Sequence, residues 1–90
     1  MKKQLQILKA LSHPVRLNII YGLKDSEFKC VCHLQELVEN QEKVSQSSLS
    51  QHLKILRDAN IVETKKVGGW VHYSLKNKNV IKILEELKEL

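Results

Sequence analysis

Apolar residues along the chain fall into five stripes with helical spacing and one stretch rich in β-formers. Leu5, Leu8 and Leu11 recur every three residues with Ile7 beside them, which predicts an amphipathic helix over residues 2–11. Ser12 and His13 then precede Pro14, and a proline in the first turn after a polar capping residue starts a second helix. Val15, Ile19, Ile20 and Leu23 share one face of it, and it should end near Gly22 to Lys24. Val31, Leu34, Leu37 and Val38 predict a third helix from about Cys30 to Glu39, with the polar segment Asn40 to Lys43 as a connection. Ser45 can cap a fourth helix, 46–59, whose Leu49, Leu53 and Leu56 face a core with Ile55 at the margin. From Ile61 the pattern changes. Val62, Val67, Trp70, Val71, Tyr73 and Leu75 favour strands, and Gly68 and Gly69 supply a two-residue turn, so 62–75 reads as a β-hairpin. Val80, Ile81, Ile83, Leu84, Leu87 and Leu90 complete the pattern as a C-terminal amphipathic helix over about 79–90.

The predicted order is mainly α with one β-hairpin, in a single α+β domain over residues 1–90. A chain this short buries a smaller fraction of its surface than a larger domain does, so association with a second copy is an expected source of stability. Both terminal helices carry apolar stripes wider than one small core needs, which points to a homodimer joined by 2–11 and 79–90. At 42% hydrophobic and 28% charged, the composition is that of a folded globular chain. No stretch has the length of a membrane span or the form of a signal peptide, so no membrane partner is expected and the cytoplasm is the expected location.

The formal charge is +5, which favours an anionic partner. Its distribution says more: residues 1–29 carry +4, 30–45 carry −2, 46–76 carry +3 and 77–90 carry 0. The second positive block coincides with the fourth helix and the hairpin. On that helix the positions not needed for the core are Gln46, Ser47, Ser48, Ser50, Gln51, His52, Lys54 and Arg57. Small hydroxyls let a helix approach a DNA duplex, amides make paired hydrogen bonds to base edges, and a helix N-terminus favours phosphate. An ordinary solvated face would carry similar residues. The hairpin that follows, with Lys65, Lys66, Trp70 and His72, favours DNA, because a helix in the groove followed by a basic wing is a recurring docking arrangement.

Three segments together resemble the ArsR/SmtB family of winged helix-turn-helix transcriptional repressors. They are Leu8 to Leu17 (LKALSHPVRL), Ser45 to Leu56 (SQSSLSQHLKIL) and Ala59 to Leu75 (ANIVETKKVGGWVHYSL), in the family's order and spacing. The resemblance covers almost the whole chain. It implies a homodimer that holds double-stranded operator DNA through recognition helices about one DNA turn, roughly 34 Å, apart. It also implies release when an inducer, often a metal ion, binds.

Family members often carry Cys-Val-Cys at the start of the helix before the recognition helix, and Cys30-Val31-Cys32-His33 stands there. The resemblance therefore marks Cys30 and Cys32 as ligands for arsenite or another soft ion, and His33, three residues after Cys30 and so on the same helix face, is a candidate third donor. Residues two apart on a regular helix point about 200° apart, so both sulfurs meet one ion only if the first turn is irregular. The family's arsenic site has a third cysteine where this chain has Gln35, so three sulfurs are not expected from one chain. No cysteine precedes Cys30 for a cadmium-type site, and Asn77-Lys78-Asn79 replaces the residues of the zinc-type site. Asn40 to Val44 is longer than the family spacing and gains no role from it. The pair is poorly placed for a disulfide framework, and the thiols remain open to three roles: soft-ion sensing, a redox switch, or small buried hydrophobes. His13, His52 and His72 are scattered, and each is expected to be structural or DNA-facing rather than a ligand.

An enzyme is not expected, since no oxyanion loop, phosphate loop or carboxylate pair can be assembled. The rival function is a protein-interaction or metal-buffering module without specific DNA binding. Salt separates the two, because phosphate contacts weaken steeply with salt and an apolar interface does not.

Overall fold

The computed structural model describes residues 1–25, 27–39 and 44–90. Among these the chain forms helices α1 (Lys2–Leu11), α2 (Pro14–Gly22), α3 (Val31–Glu39), α4 (Gln46–Asp58) and α5 (Asn79–Lys88). Strands β1 (Lys29–Cys30), β2 (Val62–Val67) and β3 (Trp70–Leu75) make an antiparallel sheet in the order β1-β3-β2. This is the winged helix-turn-helix arrangement. None of the described helices is long and apolar enough to cross a membrane. The connection expected over Asn40 to Lys43 lies outside the described residues.

Local chemistry sets the element boundaries. His13 caps α2 through Nδ1, which accepts the Val15 N–H at 3.1 Å, and Pro14 occupies the first turn where no N–H is missed. Ser45 caps α4 by accepting the Ser48 N–H on Oγ at 3.1 Å. At the other end of α4, Asn60 adopts φ of 59°, the left-handed conformation that asparagine tolerates better than most residues. The Asn60 N–H then reaches Arg57 O at 2.9 Å and the Ile61 N–H reaches Leu56 O at 3.0 Å, closing the helix in a Schellman turn. Leu56 and Ile61, brought together by that turn, are both fully buried.

The core gathers Ile19, Ile20 and Leu23 of α2 and its end, Leu34 and Val38 of α3, and Leu49, Leu53 and Leu56 of α4. Ile61, Val62, Leu75, Val80 and Leu84 close it from the sheet and α5. Gly22 is where α2 passes α3: a Cβ there would stand 2.9 Å from Leu37 Cδ1. Leu11 of α1 is buried, yet Leu5 and Leu8 are 49% and 58% exposed, and on α5 Ile83 and Leu87 are 43% and 52% exposed.

The structure departs from the sequence pattern at one junction. Cys30 lies on β1, paired with His72 of β3, and not on the third helix, which begins one residue later at Val31. A two-residue strand carries no alternation to detect; only its distant partner β3 holds it extended. Asn60→Val is expected to cost about 1–2 kcal/mol or more, because a β-branched residue resists left-handed φ, while Asn60→Gly should stay within a few tenths. Urea unfolding of both variants checks this; equal losses would show that the turn does not depend on φ.

Candidate nucleic-acid interface

Burial of Leu49, Leu53 and Leu56 fixes how α4 is rotated and leaves Gln46, Ser47, Ser50, Gln51, Lys54 and Arg57 exposed. Gln46 and Ser50, and Ser47, Gln51 and Lys54, are spaced by three or four residues, so they form one polar face beginning at the helix N-terminus. Ser48 is half-buried, and Ser47 Oγ lies 3.3 Å from Ser45 Oγ. Lys54 pairs with Asp58 at 3.5 Å, an exposed contact that holds the ammonium only loosely.

The hairpin stands beside this face. Val67 and Trp70 pair across its turn, where Gly68 has φ of 63°, the positive value required at the first position of a type II′ turn. Trp70 is 68% exposed at the tip. Lys65 and Lys66 are exposed and adjacent on β2, so they leave opposite faces of the hairpin, and the Lys65 ammonium sits 5.4 Å from the centre of the Phe28 ring. His72 is half-buried on the middle strand, between Cys30 and Lys65. Between the hairpin tip and the starts of α3 and α4 lies an open cleft of about 770 Å³, lined by Val31, Cys32, Gln46, Ser50 and Trp70 among others.

His52, expected to be structural or DNA-facing, is turned toward the α1–α2 turn. Its Nδ1 lies 3.0 Å from Arg16 Nη1, and its ring centre is 4.3 Å from that of His13. Burial, then the nearby His13 and Arg16, hold its pKa below the ordinary imidazole value. Arg16 itself received no role from the sequence pattern.

The cysteines differ from the sequence expectation as well. Cys30 and Cys32 are joined by a disulfide, with Cα atoms 5.5 Å apart. The helical argument that kept the sulfurs apart fails because Cys30 is on a strand, so only Cys32 obeys helical geometry. Cys30 Sγ also accepts the His33 backbone N–H at 3.4 Å. As a disulfide the pair offers no thiolate to a metal, and reduction would restore two sulfur donors. No group of three or more His, Cys, Asp or Glu side chains placed to hold a metal occurs among the described residues. At the position of a third cysteine, Gln35 donates from Nε2 to Val44 O at 2.7 Å, tying α3 to the segment that enters α4.

The family described as "Bacterial regulatory protein, arsR family" matches residues 13–64, which run from the α2 cap through the start of the hairpin. The chain belongs to that family. It is therefore a DNA-binding transcriptional regulator and not an enzyme. It is 42% identical over 86 residues to the arsenical resistance operon repressor of Bacillus subtilis, an alignment covering 96% of this chain and 78% of that protein. Its fold matches NolR from Sinorhizobium fredii with a TM-score of 0.83 at 36% identity, over 98% of this chain and 83% of that one. The transcriptional repressor BigR from Xylella fastidiosa matches with a TM-score of 0.80 at 30% identity, over 96% and 83%.

Proposed function

We propose that this arsR-family regulator represses transcription in the cytoplasm as a homodimer on double-stranded operator DNA, with α4 in the major groove and the hairpin against the phosphates. The observation that carries this reading is the polar face of α4: burial of its three leucines turns Gln46, Ser47, Ser50 and Gln51 outward together. Lys54 and the hairpin's Lys65, Lys66, Trp70 and His72 flank them, and Ser48 supports the first turn. The half-buried position of His52 makes it a support of the helix rather than a base reader. An interaction module that ignored DNA would gain nothing from this grouping of amides, hydroxyls and lysines.

The exposed apolar residues Leu5 and Leu8 of α1 and Ile83, Leu87 and Leu90 at the α5 end support the dimer, which would cover them around a two-fold axis. Cys30 and Cys32 support regulation. They join β1 to the first turn of α3, and Gln35 one turn later holds Val44 beside the Ser45 cap of α4. A thiol-oxidising signal that forms the disulfide, or a soft ion such as arsenite on the reduced pair with His33 or another donor, would act on DNA binding only through a difference in affinity between the two states. A hundredfold difference corresponds to about 2.7 kcal/mol of coupling.

Three outcomes are expected. Gln51→Ala or Ser47→Ala should weaken specific binding by about 1–3 kcal/mol, whereas Lys65→Ala or Lys66→Ala should weaken all sequences alike and lower the salt slope by about 1. Base preference that changed with the lysines and not with the helix residues would reverse the docking, and binding indifferent to salt would favour the interaction module. Sedimentation should show a dimer that is lost on deleting Val80 to Leu90; a monomeric wild type would remove the two-fold arrangement. Titration of DNA-bound, reduced protein with arsenite, zinc, cadmium and a persulfide donor should release wild type but not the Cys30→Ser, Cys32→Ser double variant. An identical response of the two proteins would place the sensor elsewhere.

A further inference from the structure

We propose that Arg16, acting through His52, is a positioning residue that fixes α4 against the α1–α2 layer, and that this joint holds only while His52 is neutral, so that acid weakens specific DNA binding. The inference rests on α4 being the helix that reads DNA. One guanidinium bridges two elements: Arg16 Nε donates to Ala10 O at 2.7 Å and Nη2 to Lys9 O at 3.2 Å, both carbonyls in the last turn of α1. That end of a helix carries partial negative charge and welcomes a cation. The remaining arm, Nη1, meets His52 Nδ1 at 3.0 Å.

A guanidinium has only donors, so His52 Nδ1 must accept and carries no proton; the ring's single proton is then on Nε2. His13 is committed in the same way, because its Nδ1 accepts the Val15 N–H. The groups that bear on His52 are Arg16 from α2 and His13 from the turn before it. On α4 itself, Lys54 and Asp58 pair with each other. The charged side chains of Lys9 on α1 and of Glu63, Lys65 and Lys66 on the neighbouring β2 make no ion pair with the imidazole. No carboxylate among the described residues forms an ion pair with His52.

A second proton on His52 would have to enter at Nδ1, placing N–H against N–H and cation against cation. Protonation and the Arg16 contact exclude each other. The direction follows: the joined form favours neutral His52, its pKa lies below the ordinary value, and falling pH opens the joint. If DNA binding requires the joint, the bound state holds fewer protons, and affinity falls with pH by up to about tenfold per unit. A histidine that merely faced phosphate would do the opposite, gaining charge and tightening binding in acid.

The test uses full-length wild type, His52→Gln and Arg16→Lys on a duplex of about 30 base pairs selected by wild type from a random pool at about pH 8. Glutamine can accept from Arg16 through its side-chain oxygen without titrating. Wild type is expected to lose affinity as the pH falls below the ordinary imidazole range and through the lowered His52 pKa, while His52→Gln binds within a few fold of wild type at about pH 8 and shows no acid loss. Arg16→Lys, which cannot span three acceptors in one plane, should bind more weakly at every pH. An equal acid loss in His52→Gln, or tighter wild-type binding in acid, overturns the proposal. Nitrogen-detected NMR of free wild type supplies a readout independent of DNA: His52 should carry its proton on Nε2 and titrate below the ordinary imidazole value. A proton on Nδ1, or an ordinary titration, overturns the joint even if no duplex is selected. Failure to select any duplex, with the NMR as expected, refutes only the DNA-reading role of α4.

Discussion

The orientation of α4 follows from the burial of Leu49, Leu53 and Leu56, which are fully inaccessible. Each contributes about 1.5–3 kcal/mol by leaving water, and rotating the helix by one residue position, about 100°, would expose leucine and bury serine or glutamine. That penalty is comparable to the whole stability of a small domain, so rotation is effectively forbidden. The outward row of Gln46, Ser47, Ser50 and Gln51 is therefore the complement of the buried edge. The two end structures, the Ser45 cap and the Asn60 turn, add translation to that constraint by fixing where the helix starts and stops.

Hydrophobic burial sets rotation, and directional polar contacts set the tilt. α4 is held near its start by Gln35 on Val44 O, at its middle by Arg16 on His52, and at its end by Gln6, whose Nε2 donates to Asp58 O at 3.1 Å. Two of these three contacts lead to α1, directly through Gln6 and through the carbonyls of Lys9 and Ala10 that Arg16 grips. The same helix presents Leu5 and Leu8 outward. In a dimer formed on those leucines, the spacing of the two α4 helices would be transmitted by a few hydrogen bonds, each individually modest and sensitive to protonation or substitution.

The helices and the hairpin were legible because their signals are local: leucine spacing, Pro14, Ser45 and the Gly68-Gly69 turn need no knowledge of distant partners. The polar face of α4 was legible for the same reason, since naming the buried edge names the other. What escaped was non-local. β1 exists because β3 is beside it, and the apolar spacing of Val31 and Leu34 extended a helix backward over Cys30. His52 lies at the edge of the α4 wheel, where only the arrival of Arg16 and His13 decides which way it faces. The ArsR/SmtB resemblance identified the family but could not supply this contact, because similarity in order and spacing does not state which side chains meet.

The substitution of Gln35 for a third sulfur changes what this region can do. A cysteine there would offer another ligand; the longer amide instead reaches the backbone of Val44, next to the capping residue of α4. The two sulfurs that remain sit on different elements, Cys30 in the sheet opposite His72 and Cys32 in the first turn of α3. A bond between them fixes the departure of α3 from the sheet, and breaking it removes that restraint while leaving the Gln35 connection in place. On the proposed regulatory reading, chemistry at the sulfurs would act on the angle between sheet and α3, and Gln35 would carry a change of that angle to the start of α4. Sensing of that kind would need no complete metal shell to be felt at α4. It would need only two states of one covalent link at the base of a helix already tied to its neighbour.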